Sequence, residues 1–208
     1  MTENKTQAAP TAARGEPLRQ RVMDAAERLL RRGKADFSMR DLATEAGVSF
    51  ATPFNQFGSK AAIMHTLSRR RIDTMAKRFA EMSQPADAAG RVLLAIDTAV
   101  EVMLEEPKIN RAVMGWIGTA GPSPGNVLAH STTLWTLALG AGEGLIGAGR
   151  QKALRCLPEQ LAFAFRGVLS FWTAGELPDE ELASTAGEIA KTLLLGFAER
   201  PLFCDSAS

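Results

Sequence analysis

The run Gly47-Val48-Ser49-Phe50-Ala51-Thr52-Pro53-Phe54-Asn55, with Lys60 just beyond it, gathers side chains suited to reading a nucleic acid. The amide of Asn55 can pair with both hydrogen-bonding atoms of an adenine edge, and Phe50 and Ala51 offer apolar surface to thymine methyl groups. Lys60 and Arg40, with Arg14 and Arg19 further upstream, add cations whose attraction to phosphate is blind to sequence.

Bond-making chemistry lacks its parts. Of the two histidines, His65 and His130, neither has a nucleophile nearby in sequence or a metal-ligand spacing. The two cysteines, Cys156 and Cys204, define neither a disulfide framework nor a metal site. Gly142-x-Gly144-x-x-Gly147 has the letter pattern of a dinucleotide-binding loop, but that chemistry needs a strand before it and an acidic residue on a second strand about 20 positions on. The preceding TTLWTLALG reads as helix. No catalytic residue, metal or cofactor is therefore expected, and a nucleotide-cofactor enzyme is the weak alternative.

The elements that must position these residues are helical. Val22, Ala25, Ala26, Leu29 and Leu30 form one apolar stripe from Leu18 onward, ended by Gly33. Residues 1–17 lack such a pattern and read as a disordered arm. Ser38 offers an N-cap with Asp41 three residues on, and Leu42, Ala43 and Ala46 point that short helix inward. Gly47 supplies the sharp turn, Val48 plugs the angle, and Phe54 and Phe57 face back to the first helix. Either Ser49 or Thr52 caps the next helix; with Ser49 as cap Pro53 loses only the first intrahelical bond, and with Thr52 it takes the first helical position. A sharp turn between two short helices, braced by a third, is the helix-turn-helix that lays one helix in the major groove.

Further helices are expected over 59–82, 86–105, 108–118, 125–147, 158–175 and 178–199, punctuated by prolines. Period-two alternation is missing and tyrosine is absent, so the class is all-α, with nine helices.

The segment SMRDLATEAGVSFATPFNQFGSKAAI resembles the DNA-binding part of the TetR (tetracycline-repressor-like) transcriptional regulators, through its AGVS turn and its F-x-S-K entry into a long fourth helix. The resemblance covers about residues 18–67. It implies a three-helix DNA-binding domain over 18–64, a helical effector-binding and dimerisation domain over 65–200, and a tail over 201–208. It also implies base or phosphate contact from Arg40, groove-facing Phe50, Ala51 and Asn55, and backbone contact from Ser49, Thr52 and Lys60. Phe54 stands where the family often has a tyrosine, so a phosphate-bonding hydroxyl is missing, and Pro53 replaces a leucine-like residue.

The charge fits such a division. Residues 1–80 carry 15 Lys/Arg and 8 Asp/Glu, an excess of +7, whereas residues 81–208 carry 9 and 15, an excess of −6. The resemblance implies a homodimer through the helices over 158–175 and 178–199. Phe163, Gly167, Ser170 and Ala174 share one helical face there. Two reading helices would then sit about 34–36 Å apart over a near-palindromic double-stranded site. Met103, Met114, Trp116, Ile117, Trp135 and Leu139 are the candidate walls of an effector pocket. With no charge cluster among them, a small hydrophobic or aromatic effector is expected. An effector-independent DNA-binding protein is the main alternative. No secretory leader and no membrane span are read from the sequence, which suits a cytoplasmic protein.

Overall fold

The computed structural model describes residues 11–118 and 125–199, with side chains from residue 17 onward. Among these residues the protein is all-α: α1 (Thr11–Arg31), α2 (Met39–Ala46), α3 (Ala51–Phe57), α4 (Lys60–Glu81), α5 (Ala88–Glu105), α6 (Pro107–Ile117), α7 (Val127–Leu139), α8 (Gly147–Ala174) and α9 (Leu182–Leu194). Extended pairing among the described residues is limited to one isolated bridge, Leu145 to Ala198. No described helix is long and apolar enough to cross a membrane. The chain divides between Ile63 and Met64 into two compact units.

In the first unit the α1 stripe is wholly buried, joined by Phe37, by Leu42, Ala43 and Ala46 of α2, and by Ile63 at the start of α4. Helix α1 starts at Thr11 and carries Pro17 inside it, earlier than the Leu18 expected. TAARGEP carries Gly15 and Pro17, the two weakest helix formers, so local propensity does not account for the longer helix. Residues 1–10 of the expected arm lie outside the described residues, as do the Arg14 side chain and the 201–208 tail.

The second unit has its core around Trp135 and Trp172, both completely buried. Helix α8 does not begin at Pro158 as expected but runs through it. Ala153, Leu157, Leu161, Phe165, Leu169 and Trp172 form one buried stripe along it, and that burial outweighs the lost backbone bond, a penalty of about 3 kcal/mol.

Helix α7 stops at Leu139 instead of reaching Gly147, because Gly140, Gly142 and Gly144 all take positive φ. A Cβ on Gly144 would stand 2.8 Å from Asp87 Cβ, so that glycine lets the turn pack on the start of α5. The Ala88 amide donates to the Glu143 carbonyl in the same contact, and the Ile146 amide donates to Phe197. The glycine pattern thus builds a turn between two helices, with no strand before it. Helix α9 ends at Leu194, short of Glu199, and residues 197–199 pair with 144–146 instead.

Candidate nucleic-acid interface

Helix α2 is fixed at both ends by local chemistry. Ser38 Oγ accepts from the Asp41 amide at 3.1 Å, while the Asp41 carboxylate accepts from the Ser38 amide at 2.8 Å. The hydrogen bonds from Ser38, side chain first and then backbone, hold the Asp41 carboxyl below its ordinary pKa. Gly47 ends the helix in the left-handed region, φ 61° and ψ 43°, where a Cβ is disfavoured. Arg21 of α1 donates to the Ala46 and Gly47 carbonyls, both at 3.0 Å, locking the turn. Arg28 and Arg32 hold Glu45, whose pKa is lowered first by the Arg28 hydrogen bond and then by that from Arg32. Sequence reasoning missed these arginine braces, because each joins residues 13 to 26 positions apart.

Neither cap expected for α3 forms. The helix starts at Ala51 with Phe50 in the cap position, and no side chain caps it. Ser49 and Thr52 instead bring their hydroxyls together at 2.9 Å, and the Thr52 amide donates to the Ser49 carbonyl. Pro53 is the third helical residue. Its missing N–H would have had no partner within the helix in any case, so the proline is tolerated. The ring is also the buried contact of α3. It occupies the inward apolar position of the helix.

With Pro53 turned inward, the opposite face is open. Phe50, Ala51, Phe54 and Asn55 are all exposed. Phe54 was expected to face back to the first helix; it is 41% exposed and packs edge-on against Phe50, ring centres 5.4 Å apart. Helical spacing accounts for this, since Phe54 directly follows the inward proline whereas Phe57 lies four positions beyond it. Phe57 is half-buried beneath the Arg19 guanidinium, 4.2 Å from the ring centre.

The cations divide in two. Arg40 is exposed and lies 5.4 Å from the Phe50 ring, beside the open face. Arg19 and Lys60 are committed to the protein. Arg19 donates to the Gln56 carbonyl at 2.6 Å, and Lys60 donates to the Ala35 carbonyl at 2.8 Å while sitting over the Phe37 ring. Burial pushes the Lys60 pKa down.

The second unit holds a cavity of about 60 Å³, room for several water-sized positions. Met103, Met114 and Trp135 line it, whereas Trp116, Ile117 and Leu139 do not. Leu139 belongs to the core, and Trp116 packs edge-on to His65. Two arginines also stand in the wall, Arg71 and Arg166. Arg71 turns inward and donates to the buried Asn110 at 2.9 Å.

A sharp turn between α2 and α3, braced by α1, defines a helix-turn-helix protein. Residues 22–67 match the family model for bacterial regulatory proteins, tetR family. An uncharacterised HTH-type transcriptional regulator of Mycobacterium tuberculosis is 32% identical over 124 residues, 57% of this chain and 58% of that protein. The chain thus matches a little over half the length of its curated relative. Among solved structures, a TetR transcriptional regulator from Rhodococcus sp. RHA1 shares the fold with a TM-score of 0.69 at 22% identity, covering 86% of this chain and 97% of that one. A tetR-family regulator from Streptomyces coelicolor gives 0.55 at 21% identity, over 87% and 82%. Residues 22–67 are thus similar to the DNA-binding segment of the tetR family of bacterial regulators, and the chain shares its fold with solved members of that family.

Proposed function

We propose that the protein is a sequence-specific, DNA-binding transcriptional regulator rather than an enzyme. It acts in the cytoplasm as a homodimer on a near-palindromic operator, and a small effector releases it. The observation that carries the DNA reading is the open face of α3: Phe50, Ala51 and Asn55 are exposed together while Pro53 anchors the other side. Asn55 takes the base-reading role, Phe50 and Ala51 contact thymine methyls, and Phe54 seats the Phe50 ring in place of a phosphate contact. Arg40, Ser49, Thr52 and the remaining N–H groups of Lys60 supply contacts to the backbone.

Dimerisation is supported by the outer face of α8. Phe163 and Phe171 are 52% and 58% exposed, with Gly167, Ser170 and Ala174 open between and beside them. Large apolar side chains grouped on an exposed face mark an association surface. The cavity of the second unit is the effector site, and coupling between the two sites of about 1–3 kcal/mol would be ordinary for such a regulator.

Selection of bound sequences from a random duplex pool, followed by binding across a salt series, tests the reading. A regulator enriches a two-fold symmetric motif and keeps its preference as salt rises. Binding that loses all sequence preference with salt contradicts it. Sequence-specific binding that no small molecule relieves supports the effector-independent alternative.

A further inference from the structure

The cavity of the second unit is apolar over most of its wall, with Met75, Met103, Val113 and Phe165 among its lining, yet among the described residues that lining contains two guanidinium groups and no Asp or Glu. Arg166 is the more exacting of the two. Its Nη1 faces the Met114 sulfur at 3.0 Å and its Nη2 donates to the Met114 carbonyl at 3.2 Å. A thioether is a weak acceptor, so the charge is held in a half-buried place by partners that neutralise none of it. Burial lowers the Arg166 pKa accordingly.

A second observation stands in the same wall. Trp135 is fully buried, and its indole N–H meets no acceptor among the described residues. A buried donor left unpaired costs about 1–3 kcal/mol, and Trp135, which lines the same cavity as Arg166, lacks an acceptor among the described residues. Arg71 adds positive charge, fixed by the Asn110 carbonyl oxygen at 2.9 Å. Asn110 is itself held by the Val102 and Met103 carbonyls at 3.1 and 2.8 Å. That chain of bonds makes the cationic wall a rigid part of the site.

We propose that this cavity takes a small organic carboxylic acid in its ionised form, with the carboxylate on Arg166, the Trp135 N–H as a further donor, and the hydrocarbon body among Met75, Met103 and Phe165. This rests on the reading of the cavity as the effector site and adds a carboxylate to the small hydrophobic or aromatic effector that the sequence suggested. The planar fork of guanidinium matches a carboxylate in two parallel hydrogen bonds. A single negative charge suits a small, mostly apolar cavity better than a dianion, whose desolvation is harder to offset.

The test is calorimetric titration of the full chain with matched pairs small enough for the cavity: acetate and ethanol, propionate and 1-propanol, isobutyrate and isobutanol. Each acid is expected to bind at least about tenfold more tightly than its alcohol, since each factor of ten needs only one good charge-assisted contact. Arg166→Met removes that preference and Arg166→Lys restores part of it. Trp135→Phe weakens the acids more than the alcohols. Comparison of the acids with their alcohols on the unaltered protein decides the matter even if Arg166→Met does not fold. Equal affinity within every pair, or no binding of any of the acids at millimolar concentration, overturns the proposal. Operator binding measured alongside separates the two readings. Acids that bind selectively without weakening operator binding uphold the carboxylate site and sink the effector role. Release by the alcohols as readily as by the acids upholds the effector role and sinks the carboxylate site.

Discussion

Lys60 donates a hydrogen bond to the carbonyl oxygen of Ala35, 2.8 Å away, and tethers the first residue of α4 to the connection before α2. A residue that resembles a phosphate contact is thus also a structural tie. Lys60→Met should lower the stability of the first unit by about 1 kcal/mol through loss of the hydrogen bond and the contact with Phe37. Urea unfolding followed by circular dichroism measures that loss. If Lys60 also meets phosphate, the variant binds all operators more weakly and with a flatter salt slope; an unchanged slope confines it to the tie.

Ser38→Ala removes the cap of α2 and should cost about 1 kcal/mol near neutral pH. Asp41, its reciprocal partner, has a folded pKa below its unfolded value. Its contribution is therefore complete above the unfolded value near pH 4 and disappears as the pH falls through the folded one. The gap between the two proteins in urea midpoint should narrow on acidification. A gap that widens in acid contradicts the capping box.

Asn55→Ala should lose about 1–3 kcal/mol of discrimination at one base pair of each half-site while leaving other positions alone. Arg40→Ala should weaken binding to every operator variant alike. Binding to a panel of single-base variants separates the two patterns, and a uniform loss for Asn55→Ala would assign that amide to the backbone.

Arg91 holds the end of α7 to the start of α5. Its guanidinium donates to the Ala138, Leu139 and Ala86 carbonyls at 2.9–3.0 Å and pairs with Glu143 at 2.5 Å. Arg91→Met should destabilise the second unit by about 2–3 kcal/mol, because helix-end carbonyls lose their donors. All three tryptophans, Trp116, Trp135 and Trp172, lie in that unit, so the fluorescence transition reports it selectively.

Phe171→Glu places a charge on the open face of α8 and should shift the protein from dimer to monomer in sedimentation, with its helix content unchanged. Tryptophan fluorescence should stay as it is, since Trp172 is buried about 100° round the same helix. A dimer that survives the substitution moves the association surface elsewhere.

What the sequence disclosed was local. The α1 stripe, the Ser38–Asp41 reciprocity and the left-handed Gly47 each follow from residues within a few positions of one another, and each is present. Pro158 misled because proline is a strong local signal for a helix start, while the stripe from Ala153 to Trp172 that carries the helix past it declares itself only over 20 residues. Phe54 was assigned inward because it is aromatic, but the proline before it had already taken the inward position. The arginines of the cavity were illegible for another reason. Arg71 and Arg166 come from helices far apart in sequence, and only the fold brings them to one wall.

The buried ring of Pro53 also bears on how quickly and how tightly the first unit could engage a partner. A pyrrolidine fixes its own φ near −65° and narrows the choices of Thr52 before it, so the segment carrying Phe50 and Asn55 has surrendered much of its freedom by the time the chain has folded. Little disorder remains to be lost on docking, and the segment arrives already shaped for its task.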